Sequence, residues 1–162
     1  MNNDFVFIAD FFAEQIGGGG ELNNEEAIHL LKKRGHNVTK ANSHFITPEY
    51  LLENLNKKFI VANFINLSEE SKSILFNHTK YIIYEHDHKY LQTRDPSVFN
   101  NFKAPETAII NRKFYKNAIA VLCQSKLHTE IVRKNLSYEN IINLGGNLWS
   151  EKTLNFIKDL SS

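Results

Sequence analysis

Cysteine is almost absent from this sequence: Cys123 is the only one among 162 residues. A single cysteine excludes an intramolecular disulfide and a cysteine-based zinc site. A chain without disulfides suits a reducing compartment, so we expect a cytoplasmic protein.

An excess of charge of either sign is also missing. Lysine and arginine number 19 against 18 acidic residues, which leaves a formal net charge of +1. The chain therefore has no basic surplus that would attract the phosphates of a nucleic acid, and we predict no nucleic-acid partner.

Long hydrophobic runs are absent as well. The first apolar run, Phe5–Ala9, is far shorter than a signal peptide or a membrane span requires, so we predict no membrane span. Hydrophobic residues make up 42% of the chain and charged residues 23%, as in globular proteins. The length fits one domain, and we assign residues 1–162 to a single domain.

Two common phosphate-binding motifs are missing. The dinucleotide fingerprint G-x-G-x-x-G fails because its third glycine would fall on Leu22 or Asn23. A P-loop requires Gly-Lys-Ser/Thr, whereas Gly20 is followed by Glu21. Neither a nicotinamide enzyme nor a P-loop NTPase is supported.

The stretch from Asp4 to Val38 instead predicts a strand, a glycine turn and a helix. The strand ends in Asp10, and the glycines are Gly17–Gly20. Apolar residues recur at helical spacing over 21–34, and Gly35 is placed to end that helix as a left-handed residue. Four glycines permit positive φ angles and close approach of a ligand, and the first N–H groups of the helix form an anion site. The alternative is a flexible loop that only connects strand and helix.

The rest of the chain alternates strands and helices. We predict strands over 36–43, 58–65, 80–84, 118–123 and 140–144, and helices over 47–56, 68–77, 106–117, 125–135 and from 150. This order predicts an α/β fold, a Rossmann-like parallel sheet of about six strands with helices on both faces. Ligands of such sheets bind outside the carboxyl ends of the strands, where Asp10, Asn63 and Ser125 lie.

The densest group of titratable residues is Glu85-His86-Asp87-His88, which follows the fourth predicted strand. His86, His88 and Asp87 are possible metal ligands, but no second cluster completes a closed set of four, so we predict no metal. A histidine that contacts a sugar or phosphate oxygen, or that acts in acid–base chemistry, is the functional alternative. A polar turn that only completes the strand is the structural alternative.

Three segments resemble the amino-terminal half of the GT-B-type retaining glycosyltransferases, the glycogen-synthase-like and mannosyltransferase-like group. They are Gly18-Gly19-Gly20-Glu21 before a helix, Arg34-Gly35-His36-Asn37-Val38, and the segment 120–147 with its Asn143-Leu144-Gly145-Gly146-Asn147 end. The position of His86 after its strand is similar to that of a histidine at the interdomain cleft of this family.

The resemblance implies that Gly18 and Gly19 approach the donor diphosphate and that His86 faces the sugar being transferred. His86 and Asp87 are the catalytic candidates. The further substrate- or donor-binding candidates are Gly20, Glu21, Asp10, Asn63, His88 and Ser125. The implied partners are a nucleotide sugar and a carbohydrate or other acceptor. The nucleotide sugar would be a substrate, so no cofactor is implied.

The family holds the nucleotide in a second domain through a basic residue and an E-x7-E pattern, and this sequence contains no such pattern. We therefore expect the carboxyl-terminal nucleotide-binding domain to be absent from this chain. Three alternatives follow: a half enzyme that works with a separate carboxyl-terminal domain protein, an inactive remnant, or a non-enzymatic α/β module that binds a nucleotide-derived or phosphorylated small molecule. A weaker alternative is an interaction domain that uses the long loop over 89–105.

Overall fold

The computed structural model describes residues 4–161 and contains one six-stranded, all-parallel sheet. Its strands are β1 (Asp4–Ala9), β2 (Asn37–Asn42), β3 (Lys58–Val61), β4 (Lys80–Tyr84), β5 (Val121–Cys123) and β6 (Ile141–Asn143). The strand order is β2-β1-β3-β4-β5-β6. The predicted Rossmann-like α/β architecture is confirmed.

Six α-helices connect and follow these strands: α1 (Gly19–Lys33), α2 (Pro48–Glu53), α3 (Glu69–His78), α4 (Arg112–Asn117), α5 (Lys126–Leu136) and α6 (Glu151–Ser161). Four of them begin with a side-chain cap, in which the hydroxyl of Thr47, Ser68, Ser125 or Ser150 accepts a backbone N–H three residues later. Such caps satisfy an N–H group that has no partner inside the helix, which is why these starts are visible in the sequence.

The sheet separates two apolar layers because successive side chains of a strand point to opposite faces. On one face, Val6 and Ile8 pack with residues of α2 to α5, such as Leu51, Leu75 and Val132. On the other face, Phe7 and its neighbours pack with Ile28 of α1. Helices therefore cover both faces, as predicted.

Several predicted elements are wrong in extent, such as the strand predicted over 118–123, which is limited to Val121–Cys123. The helix predicted over 106–117 is a short 3-10 turn, Glu106–Ala108, followed by α4 from Arg112, because Asn111 takes a left-handed conformation with φ of 55°. The strand predicted over 58–65 ends at Val61, after which the chain turns toward Asp10.

The order of the strands reverses between β1 and β3, since β2 lies on one side of β1 and all later strands lie on the other. Ligand crevices of open α/β sheets occur at the carboxyl ends of strands near such a reversal. None of the helices between residues 4 and 161 has the length and apolar character needed to cross a bilayer.

Candidate functional site

A groove of about 560 Å³ opens at the carboxyl edge of the sheet. The start of α1 forms one wall, the ends of β4 and β5 form the floor, and the segment after β6 forms the opposite wall. The lining residues are Gly19, Gly20, Leu22, Asn23, Glu25, Glu26, His86, Gln124, Asn147, Leu148, Trp149, Ser150 and Thr153. Of the residues selected from the sequence, Gly19, Gly20 and His86 come together here.

The glycine stretch forms the first turn of α1, which begins two residues earlier than predicted. The first N–H with an intrahelical acceptor is that of Leu22, bonded to the carbonyl of Gly18 at 3.0 Å. Within residues 4–161 no acceptor bonds the N–H groups of Gly19 and Gly20, so these groups stay available to a ligand. Together with the positive end of the helix dipole, they favour an anion.

These glycines do not adopt positive φ angles, so that part of the prediction is wrong; Gly35, by contrast, has the expected left-handed conformation with φ of 86°. The relevant property of these glycines is that they carry no side chain beside the groove. A Cβ at Gly20 would lie 3.6 Å from the ring of His86, whereas a Cβ at Gly19 would meet open space. A methyl group at Gly20 would therefore make an ordinary van der Waals contact with the imidazole, which places the ring next to the helix start.

Glu21 places its own carboxylate beside this turn. Its Oε2 atom occupies space that a Cβ at Gly18 would need. The carboxylate therefore stabilises the helix start itself, as acidic residues in the first turn generally do. An anionic ligand must approach from the side of Gly19 and Gly20, or displace the Glu21 side chain.

His86 is held through both ring nitrogens. Its Nε2 lies 2.7 Å from Oδ1 of Asn24, and its Nδ1 contacts the amide nitrogen of Gln124. An amide oxygen only accepts and an amide nitrogen only donates, so this arrangement fits the neutral ring with its proton on Nε2. Burial, reinforced by the charge of Lys89, lowers the pKa of His86 to about 4.

Asn23 connects the two walls of the groove. Its side-chain oxygen accepts hydrogen bonds from the N–H of Leu148 at 2.8 Å and from the hydroxyl of Tyr84 at 3.2 Å. These bonds place Trp149, which lines the groove and is 56% exposed. An exposed indole beside free amides is a stacking surface for a planar or sugar ring.

Asp10 lies at the predicted edge of the sheet but serves the fold. It is 6% exposed, and its carboxylate accepts from the hydroxyl of Ser43 and from the N–H groups of Ile65 at 3.1 Å and Asn66 at 3.2 Å. The carboxylate thus joins the ends of β1, β2 and β3.

Four other selected residues lie outside the groove lining and bond to neighbouring groups. Asp87 pairs with Lys89 and Arg94, and Asn63 accepts from Lys89. Nδ1 of His88 lies 2.9 Å from the hydroxyl of Tyr90, and burial lowers the pKa of His88 to about 4. The remaining residue is Ser125, which caps α5.

Sequence reasoning missed Asn23, Asn24, Gln124 and Asn147. Asn24 is fully buried and lies four residues before Ile28, on the buried side of α1. A polar residue on the apolar side of a helix needs a hydrogen-bond partner when it is buried, and this feature of the sequence could have identified Asn24. The local sequence did not predict that Gln124 and Asn147 line the groove, because their positions depend on how β5 and the chain after β6 meet α1.

The described residues, 4–161, bring together no group of three or more His, Cys, Asp or Glu side chains that could hold a metal ion. Comparison of the chain with known protein families, with curated proteins and with solved structures finds no match.

Proposed function

We propose that the groove binds a nucleotide sugar and that the chain is the acceptor-side, glycine-loop half of a retaining glycosyltransferase. The observation that carries this proposal is that Gly19 and Gly20, whose N–H groups precede the first intrahelical hydrogen bond, line the same groove as Trp149. A helix start without side chains suits a diphosphate, and the indole suits the base or the sugar.

Several other lining groups suit the sugar part of the ligand, while Glu25 and Glu26 bring negative charge to the groove. Asn147, Ser150 and Thr153 supply amide and hydroxyl groups, which hydrogen-bond sugar hydroxyls in both directions. The volume of about 560 Å³ falls within the range of small-molecule pockets. The resemblance of the glycine turn and of His86 to the GT-B enzymes selects a nucleotide sugar among phosphorylated ligands.

In this proposal His86 positions the ligand rather than accepting a proton. Both of its nitrogens have partners, and a pKa of about 4 keeps the ring neutral at physiological pH. The ring lies beside Gly20, next to the proposed phosphate-binding amides.

Transfer requires donor and acceptor to be held together away from water, which one open groove cannot do. We therefore propose that a second domain with a basic residue and paired glutamates closes over the groove. That domain would hold the nucleotide while this chain contributes the acceptor side and the diphosphate contacts.

A second candidate is a non-enzymatic module that captures a nucleotide-derived or phosphorylated small molecule in the same groove. The observation that favours it is the full occupation of the His86 ring nitrogens, which leaves the groove without a histidine base. Binding is common to both candidates, and turnover with an added second domain distinguishes them.

Calorimetric titration with a panel of nucleotide sugars and free nucleotides tests the shared claim. Gly19→Val adds a side chain to a lining residue whose Cβ would meet open space, so it should fold and weaken binding by at least about tenfold, or about 1.4 kcal/mol. Gly17→Val is the matched control, because Gly17 also faces open space and does not line the groove. No binding by the wild type, or equal binding by both variants, would refute the proposed site.

A further inference from the structure

A second cavity, of about 610 Å³, lies at the same edge of the sheet between the ends of β3 and β4 and the starts of α3 and α4. It shares no lining residue with the groove. Its lining includes three cationic side chains, Lys72, Lys89 and Arg94, around the ring of Phe64. The proposed function does not use this cavity.

Two of these cations are buried. The side chain of Lys72 is 10% exposed and that of Lys89 is 4% exposed. Their ammonium groups lie 5.8 Å and 5.7 Å from the centroid of the same Phe64 ring. Two ammonium groups are thus held near one aromatic ring, and both belong to side chains with little solvent exposure.

The ammonium groups of Lys72 and Lys89 do not use all of their N–H groups in hydrogen bonds to the described residues. Lys72 donates to Glu69 at 2.7 Å and to Asn111 at 2.9 Å, and Lys89 donates to Asn63 at 2.7 Å and to Asp87. A lysine ammonium carries three protons, so within the described part of the chain each has one N–H without an acceptor.

The direct ion pairs of these cations are weakly held. Among the described residues, only Glu69 and Asp87 pair with them directly, and these side chains are 86% and 44% exposed. The charges of Glu85, Asp10 and Glu21 also act on Lys89, yet burial is the largest cause acting on its pKa, which is lowered. An anion inside the cavity would supply the hydrogen-bond acceptors that the remaining N–H groups of Lys72 and Lys89 lack.

We propose that this cavity binds the phosphate group of a small molecule. Phosphate offers several acceptor oxygens, enough for the free N–H of Lys72 and of Lys89 and for the guanidinium of Arg94 at the rim. The volume leaves room for the organic part of a phosphate monoester next to Leu91 and Ile110.

Titration of the full chain with inorganic phosphate and with glycerol phosphate, at constant ionic strength, tests this site by calorimetry. Arg94→Gln changes a half-exposed rim residue and should fold; it should weaken both ligands about tenfold, the usual effect of one charge-assisted hydrogen bond. Lys72→Met should weaken them at least as much. Lys126→Met is the control, because Lys126 is 84% exposed and lies outside the cavity, and it should bind as the wild type does.

Gly19→Val separates this site from the groove. The inference predicts that this variant binds inorganic phosphate normally while Arg94→Gln does not. If the wild type shows no saturable phosphate binding, or if Arg94→Gln and Lys72→Met bind normally, the inference is wrong. If Gly19→Val alone loses phosphate, the anion binds in the groove, and the inference fails while the proposed function gains support.

Discussion

Asn24 on α1 and His86 after β4 lie 62 residues apart in the chain and meet through a 2.7 Å contact between Oδ1 and Nε2. Asn24 is fully buried, and the other ring nitrogen contacts Gln124 after β5. The contact fixes the tautomer and the orientation of the ring in the floor of the groove. His86 therefore connects three elements as well as lining the candidate site.

Stability should depend on pH through His86 and His88. Both have a pKa of about 4 because they are buried, whereas a histidine in the unfolded chain titrates near 6.5. Between these values the unfolded chain binds more protons, so the stabilisation is complete above pH 6.5 and is lost as the pH falls toward 4. Urea unfolding at about pH 7.5 and about pH 4.5 should show a loss of roughly 1–3 kcal/mol per ring.

The variant carrying both His86→Gln and His88→Gln should lose less stability over the same pH interval. His29→Gln, on the exposed side of α1, is the control and should show the wild-type loss. An equal pH dependence in all three proteins would contradict the assignment of the effect to the two buried rings.

Asp10→Ala should destabilise the fold without acting directly on the groove. The substitution leaves the N–H groups of Ile65 and Asn66 and the hydroxyl of Ser43 without their shared acceptor, a loss of about 2–4 kcal/mol in the free energy of unfolding. Ser43→Ala removes one donor of the three and should cost less. Urea denaturation measures both, and an Asp10→Ala variant of wild-type stability would refute this structural role.

Tyr115→Phe should be more damaging than Glu85→Gln. Glu85 is 1% exposed; its Oε2 accepts the hydroxyl of Tyr115, and its Oε1 has no partner among the described residues. Removing the hydroxyl leaves a buried carboxylate unpaired, at a cost of about 1–3 kcal/mol, whereas Gln keeps an acceptor and removes the charge. Thermal unfolding should rank the variants in this order, and the reverse order would contradict it.

Asn23→Ala should loosen the wall that carries Trp149. The substitution removes the acceptor of the Leu148 N–H, and the segment after β6 loses its side-chain link to α1. We expect lower fluorescence anisotropy of the indole and weaker nucleotide-sugar binding, with little change in overall stability. Asn117→Ala, whose side chain bonds only within α4, is the control and should change neither quantity.

The sequence predicts the architecture well where the signals are local. The capped starts of α2, α3 and α5 follow from Thr47, Ser68 and Ser125, and the strands follow from continuous apolar runs such as Phe59–Val61. The start of α4 could not be predicted, because it depends on the left-handed backbone of Asn111, whose side chain bonds to Lys72 and Lys89.

The candidate site is predicted only in outline. The carboxyl edge of the sheet and the pairing of the glycine turn with His86 follow from the order of the elements. The partners of individual polar atoms do not, since Asp10 and Asn63 are at the expected edge yet bond to backbone amides and to Lys89. A sequence shows which polar residues reach an edge, but contacts distant in the chain decide which of them face a ligand.

The fluorescence of Trp149, the only tryptophan of the chain, reports directly whether a nucleotide sugar binds in the groove. Because the half-exposed indole lines the groove with Gly19, a bound nucleotide sugar should change its emission with a saturable dependence on ligand concentration. We expect this change to persist in Gly17→Val and to be lost or weakened at least about tenfold in Gly19→Val. An unchanged emission with every nucleotide sugar, or the same response in both variants, would contradict it.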